Sequence, residues 1–169
     1  MKKSPDILIY TDGSSRGNPG PGGYGIIIQN FSDKRSKEFS KGFRKTTNNR
    51  MELLAVIEAI KKITVKNLTL HIYTDSKYVV DAVEKKWVFN WKKKEFKGKK
   101  NSDLWDRFLN IYETQEIKFF WIKGHNNHPQ NERCDHLAFE ASKSNKLDID
   151  HEYERQKTKS VSCYRDNGF

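Results

Sequence analysis

The chain has 169 residues, with 32 Lys and Arg against 22 Asp and Glu and a formal net charge of +10 at pH 7. That length suits one domain with a sizeable core, and the basic excess attracts polyanions, nucleic acid foremost, although a generally basic surface carries the same charge. Two cysteines, Cys134 and Cys163, exclude a disulfide framework and a cysteine-rich zinc site; no apolar run approaches the roughly 18 residues of a membrane span, and Ile7 to Tyr10 are too few for a signal-peptide core, so a soluble cytoplasmic protein without a membrane role is expected.

Three strands come first, ILIYTD (7–12), YGIIIQ (24–29) and SKEFSKGFRK (36–45). Residues 11–28 hold six of the ten glycines and two of the four prolines. Residues 20–25, Gly-Pro-Gly-Gly-Tyr-Gly, satisfy G-x-G-x-x-G, but a dinucleotide cradle needs a helix opening at its last glycine. A kinase-type loop needs H-R-D and D-F-G elsewhere, and the chain has neither. The segment reads as a stiff, tight turn between two strands.

TTNNRMELLAVIEAIKKI (46–63) opens with capping residues and continues with Leu53, Ile57 and Ile60, predicting a helix from Asn48 or Asn49 with Glu52 in its first turn. NLTLHIYTD (67–75) is a strand followed at once by the helical SKYVVDAVEKK, so Asp75 sits at a strand-to-helix junction. A basic, aromatic segment, KKWVFNWKKKEFKGKK (85–100), comes next. Then follow a helix over 102–112, a strand over 116–123 and a helix around 131–142 that carries Asp135. Trp105 and Trp121 fall on core positions of these elements, and Cys134 reads as small core filler. Beyond about residue 144 the chain is polar without a convincing period, either a flexible tail or a short docked appendage.

Short links among the first three strands imply antiparallel hairpins, and helices between the later ones imply parallel crossovers. The expected architecture is α/β, a mixed five-stranded sheet of three antiparallel and then two parallel strands, flanked by helices. Asp12 and Asp75 both close a strand, and ligands of open α/β sheets gather beyond such ends. Glu52 and Asp135 could complete a cluster of four acids. Such a cluster repels itself unless a cation neutralises it, and magnesium favours oxygen ligands. Three of the acids also have a plainer role: Glu52 complementing a helix N-terminus, Asp75 capping the next helix, Asp135 simply solvated. Spacing alone does not bring them together.

Taken in order, YTDGSSRGNPGPGGYG, TTNNRMELLAVIEAI, TDSKYV, NWKKK, DLWDR and WIKGHNNHPQNERCDHLA resemble the type 1 ribonuclease H family, of the bacterial ribonuclease HI kind, over residues 6 to 142. The resemblance implies a ribonuclease H-like sheet and an endonuclease that cuts the RNA strand of an RNA/DNA hybrid, leaving a 5′-phosphate and a 3′-hydroxyl. Asp12, Glu52, Asp75 and Asp135 match its metal-binding carboxylates, and His125 in the K-G-H loop matches its catalytic histidine. Two Mg2+ ions, with Mn2+ as a substitute, are the implied cofactor; such a pair activates water and stabilises the departing oxygen. The glycine-rich turn is implied to bring backbone close to the RNA strand.

Asn18, Asn48 and Lys77 match positions near the substrate, where a 2′-hydroxyl distinguishes RNA from DNA. Lys77 stands where the most familiar bacterial member has glutamine, and a lysine can donate but not accept. Thr47 and Asn49 resemble positions contacting the substrate backbone, Thr47 nearer the DNA phosphate, while also serving as helix caps. Residues 85–100 hold eight lysines and one acid interleaved with Trp87, Phe89, Trp91 and Phe96. They look like the family's basic protrusion, with Trp87, Trp91, Lys92, Lys93 and Lys94 as its substrate contacts and about half of the aromatics claimed by the core. His128 shapes the loop. The expected organisation is a catalytic domain over 1–144 and a polar tail over 145–169, acting as a monomer. A noncatalytic hybrid-binding module and a DNA-directed nuclease are the alternatives, and the contiguous K-G-H to E-R-C-D block favours the ribonuclease.

Overall fold

Continuous apolar runs, Ile7 to Tyr10 and Ile26 to Ile28, give the central strands two packed faces. In this computed structural model, which describes residues 3–165, the strands are β1 (Ile7–Ser15), β2 (Gly20–Asn30), β3 (Ser36–Thr46), β4 (Thr69–Thr74) and β5 (Glu116–Trp121). Their order is β3-β2-β1-β4-β5. The β1–β2 and β2–β3 pairs are antiparallel, whereas β1–β4 and β4–β5 are parallel. The helices among the described residues are α1 (Asn48–Lys61), α2 (Lys77–Glu84), α3 (Trp87–Lys93), α4 (Ser102–Tyr112), α5 (Pro129–Ser142) and α6 (His151–Arg165). This is the mixed five-stranded sheet that the sequence implies.

Ile9 of β1 stands in register with Ile28 and Ile72. Ile9 and Ile72 belong to the main core, together with Leu53 and Ile57 of α1, Val79 of α2 and Trp105 and Phe108 of α4. The next residue pair, Tyr10 and Ile27, points the other way and packs with Cys134 of α5. Full burial of one such aliphatic side chain contributes about 1.5–3 kcal/mol, and a one-residue slip of β1 would exchange Ile9 and Tyr10 between the two faces and mismatch both packings.

The glycine-rich turn is shorter than the sequence suggests. Gly20, Gly22, Gly23 and Gly25 lie within β2, leaving residues 16–19 as the connection. Helix α5 is the reason: a Cβ on Gly25 would stand 2.2 Å from the Cys134 carbonyl oxygen. Glycine there lets α5 rest on the strand, one residue before Asp135.

The basic segment contains a helix that its lysines conceal. α3 starts from Lys86 in the left-handed region (φ 63°) with no side-chain cap, and its formation follows from Val88, Phe89 and Trp91 packing on the core. Trp121, expected in the core, is instead 43% exposed, because β5 ends there at the sheet edge.

Part of the segment expected as a polar tail is docked. Asp148 N–H donates to the Gly42 carbonyl at 2.9 Å, and Arg44 N–H donates to the Asp148 carbonyl at 2.9 Å, extending β3 by one bridge. Tyr153 of α6 is buried. Arg50 of α1, only 2% exposed, donates to both Asp103 and Asp150, with 2.7 Å ion pairs to each. Burial alone would lower the Arg50 guanidinium; hydrogen bonds and charge from Asp103 and Asp150 more than offset it, raising its pKa. No helix among the described residues is long and apolar enough to cross a membrane.

Candidate active site

Four chain segments deliver acids to one end of the sheet. Asp12 lies in β1 opposite Gly25, where the β1–β4 ladder has ended. Glu52 is held by the start of α1, where the Thr47 hydroxyl caps the helix by accepting from Arg50 N at 3.3 Å. That helix rests directly on β1, since a Cβ on Gly13 would stand 2.3 Å from Glu52 N. Asp75 follows β4, and Ser76 caps α2 by accepting from Val79 N at 3.3 Å. The K-G-H loop presses on it so closely that a Cβ on Gly124 would stand 2.7 Å from Asp75 Oδ2. Asp135 comes from α5, whose N-cap is the His128 ring accepting from Asn131 N at 3.3 Å, with Pro129 at its start.

Carboxylate oxygens of Asp12, Glu52 and Asp75 lie within 4.8 Å of one another. Asp135 borders the same cleft of about 410 Å3. Asp12 and Glu52 are each 5% exposed, and Glu52 Oε2 is buried with no hydrogen-bond partner. Burial first, then the charges of Asp75 and Asp135, push the Asp12 carboxyl up to about 8. Burial, then Asp12 and Asp75, hold Glu52 well above the usual carboxylate range. A desolvated carboxylate oxygen without a donor is costly to retain. A divalent cation supplies the missing positive charge, and an all-oxygen donor set suits a hard one. The residues therefore fit a metal.

The cleft also gathers Asn48, Asn49, Lys77 and His125, the last in the left-handed region at φ 55°. Asn18 stands behind them: its Oδ1 accepts from Asn48 N at 3.1 Å, while Asn48 Oδ1 accepts from Ser15 N at 3.3 Å. Both acceptor oxygens are therefore engaged by the backbone, so what these asparagines present outward is the amide donor. Trp87, Trp91 and Lys92 to Lys94 lie outside the cleft, on or just after α3. Trp87 is 45% exposed. Trp91 sets its ring edge-on to Trp105 at 5.8 Å, and Lys92 pairs with Asp106. The sequence reading missed Trp121, whose Nε1 donates to the Asp75 carbonyl at 3.0 Å. Its place at the end of β5, directly before the K-G-H loop, was the available signal.

The RNase H family model matches residues 4–143. A ribonuclease H from Trichodesmium erythraeum (strain IMS101) is 46% identical over 153 residues, covering 88% of this chain and 94% of that protein. The crystal structure of LC9-RNase H1, a type 1 RNase H with the type 2 active-site motif, superposes with a TM-score of 0.74 at 30% identity, over 84% of this chain and 74% of that one. LC11-RNase H1, solved in complex with an RNA/DNA hybrid, gives 0.61 at 27% identity, over 81% and 96%. Sequence, sheet order and acidic cleft agree: the chain belongs to the type 1 RNase H family, metal-dependent endonucleases that hydrolyse the RNA strand of RNA/DNA hybrids.

Proposed function

We propose that Asp12, Glu52, Asp75 and Asp135 hold two Mg2+ ions, replaceable by Mn2+, against the scissile phosphate of an RNA/DNA hybrid, giving 5′-phosphate and 3′-hydroxyl ends. Such a metal pair lowers the pKa of an attacking water and stabilises the leaving oxygen. The unpartnered, buried Glu52 Oε2 carries this reading. The protein's own work is placement. Amide donors of Asn48 and Asn49 test for the ribose 2′-hydroxyl and its neighbouring backbone, with Asn18 fixing Asn48. The Thr47 hydroxyl, already accepting from Arg50 N, keeps its proton free to donate to a phosphate of the DNA strand. Lys77 adds a positive donor at the rim. His125, exposed in its loop, assists proton transfer and product departure as an acid–base group beside the carboxylates.

Trp87, Trp91 and Lys92 to Lys94 on the 85–100 protrusion hold the flanking duplex by charge and ring contact. Residues 1–144 form the catalytic domain and 145–169 a C-terminal appendage. The protein acts as a cytoplasmic monomer. The direct test is cleavage of an end-labelled hybrid beside duplex DNA and duplex RNA, with Mg2+ or with chelator. Cutting confined to the RNA strand of the hybrid, and only with metal, is expected. A folded preparation inert toward the hybrid at every Mg2+ and Mn2+ concentration overturns the reading.

A further inference from the structure

Lys77 occupies the first position of α2, where the positive end of the helix disfavours a cation. It lines the same cleft as Asp12, Glu52 and Asp75. The simplest resting place for its ammonium is an ion pair with one of these carboxylates, which would occupy oxygens that a metal needs. Among the described residues Lys77 makes no such pair. Its Nζ lies over the Trp121 ring, 4.6 Å from the centroid, within the range of a cation–π attraction.

Trp121 is poorly explained as apolar filler, since it is 43% exposed. Its indole is nevertheless fixed. Nε1 donates to the Asp75 carbonyl at 3.0 Å, and the next residue, Ile122, donates its N–H to the Thr74 carbonyl at 2.9 Å. The ring thus stands beside the turn carrying Asp75, Ser76 and Lys77.

We infer that Trp121 is a positioning residue of the active site: its ring parks the Lys77 ammonium at the rim, clear of Asp12, Glu52 and Asp75. The carboxylates stay open to the divalent cation, and the ammonium stays available to an oxygen of the bound strand. The inference rests on the metal site proposed above.

Calorimetric binding of Mg2+ to the free, full-length protein tests it without substrate. Trp121→Leu releases the ammonium onto the acids and weakens Mg2+ binding about fivefold, the scale of a partly exposed ion pair. Adding Lys77→Met to Trp121→Leu removes the competing cation and returns the affinity to within about twofold of the wild type. Trp121→Phe retains a ring face and stays closer to the wild type than Trp121→Leu. In cleavage assays Lys77→Met and Trp121→Leu each raise KM for the hybrid, and the double variant raises it no further, because both act through one ammonium.

A Trp121→Leu protein that binds Mg2+ as the wild type does overturns the inference, as does a double variant as weak as Trp121→Leu alone. If Trp121→Leu melts below the assay temperature, Trp121→Thr, which suits a strand end, takes its place under the same criteria. Wild-type cleavage of the hybrid is the separate control: wild-type protein that binds Mg2+ yet never cuts sinks the proposed function, while the calorimetric comparison still decides the role of Trp121.

Discussion

Arg50 and Glu52 stand two residues apart on α1, each almost fully buried, and the clusters around them are opposites. Arg50 makes five side-chain hydrogen bonds, two with Asp103, two with Asp150 and one with Asn101. Glu52 meets Asp12 and Asp75, carboxylates of its own sign, and keeps one oxygen with no donor at all. Burial works against the charged form at both places. At Arg50 the neighbours more than offset it; at Glu52 and Asp12 they add to it. A chain that satisfies one buried charge so completely and leaves its neighbour unsatisfied is reserving the second for something it binds.

The sharpest break in this comparison is Asp12→Asn. Removing a carboxylate from the unsatisfied cluster lowers turnover of the hybrid by a factor on the order of 10³ or more. It also relieves like-charge repulsion, so the metal-free protein melts higher, by ~2–4 °C for each kcal/mol recovered at this size. Normal turnover in pure Asp12→Asn protein would take Asp12 out of the mechanism. A lower metal-free melting temperature would mean that the acids are not strained against one another.

Asp150→Ala breaks the other cluster and has the reverse signature. It leaves the Arg50 guanidinium with Asp103 and Asn101 as its remaining acceptors, at a cost of about 3 kcal/mol, the low end for breaking a buried pair, or roughly 6–12 °C in melting temperature. Thr46 also loses its 2.8 Å bond to Asp150. Activity at temperatures where the variant is folded falls far less than in Asp12→Asn. If thermal melting barely moves, the C-terminal segment is a passenger on the domain.

The sequence carried these two clusters unequally. All four acids and His125 stood out through contiguous motifs that resemble the ribonuclease H family, since spacing alone did not bring them together, and the first strands were legible as short apolar runs bounded by turn residues. Asp150 was invisible. It lies in a polar stretch, and its partners Arg50 and Thr46 are 100 and 104 residues away, so no local pattern marks it. The same holds for Trp121, whose indole contact depends on β4 and β5 being parallel neighbours. α3 was hidden differently: Trp87, Val88, Phe89 and Trp91 are flanked by lysines on both sides, and the helix begins at a left-handed residue instead of a Ser, Thr, Asp or Asn cap. The glycines misled about the turn because their small size serves helix packing as much as chain reversal.

Magnesium sharpens the comparison through pH. The Asp12 carboxyl is raised from its ordinary 3.8 to about 8, and Glu52 is raised as well, so between those limits the folded metal-free protein holds protons that the unfolded chain has lost. Their stabilising contribution is complete below pH 4 and declines as pH rises toward 8. Metal competes with these protons. The gain in melting temperature on adding Mg2+ is therefore small at pH 5 and grows by several degrees up to pH 8–9. Differential scanning calorimetry with Mg2+ and with chelator checks this; a gain independent of pH would place the metal elsewhere. Asp150→Asn, acting on the satisfied cluster, leaves the slope of that gain with pH intact.

The exposed lysines give the third limit, charges held in water, which cost little to keep and contribute little to stability. Lys93 and Lys94 stand exposed at the end of α3, and Lys92 is tied to Asp106. Their effect belongs to binding alone. Replacing Lys93 and Lys94 with Ala shifts the melting temperature by no more than about 1–2 °C, while the dependence of log Kd for the hybrid on log salt becomes shallower by about one for each phosphate that is no longer neutralised. Lys92→Ala flattens that dependence less, because its ammonium is already partly neutralised by Asp106. An unchanged salt slope in both variants would mean that α3 turns these lysines away from the duplex, and the hybrid would then have to be held by the start of α1 and the cleft alone.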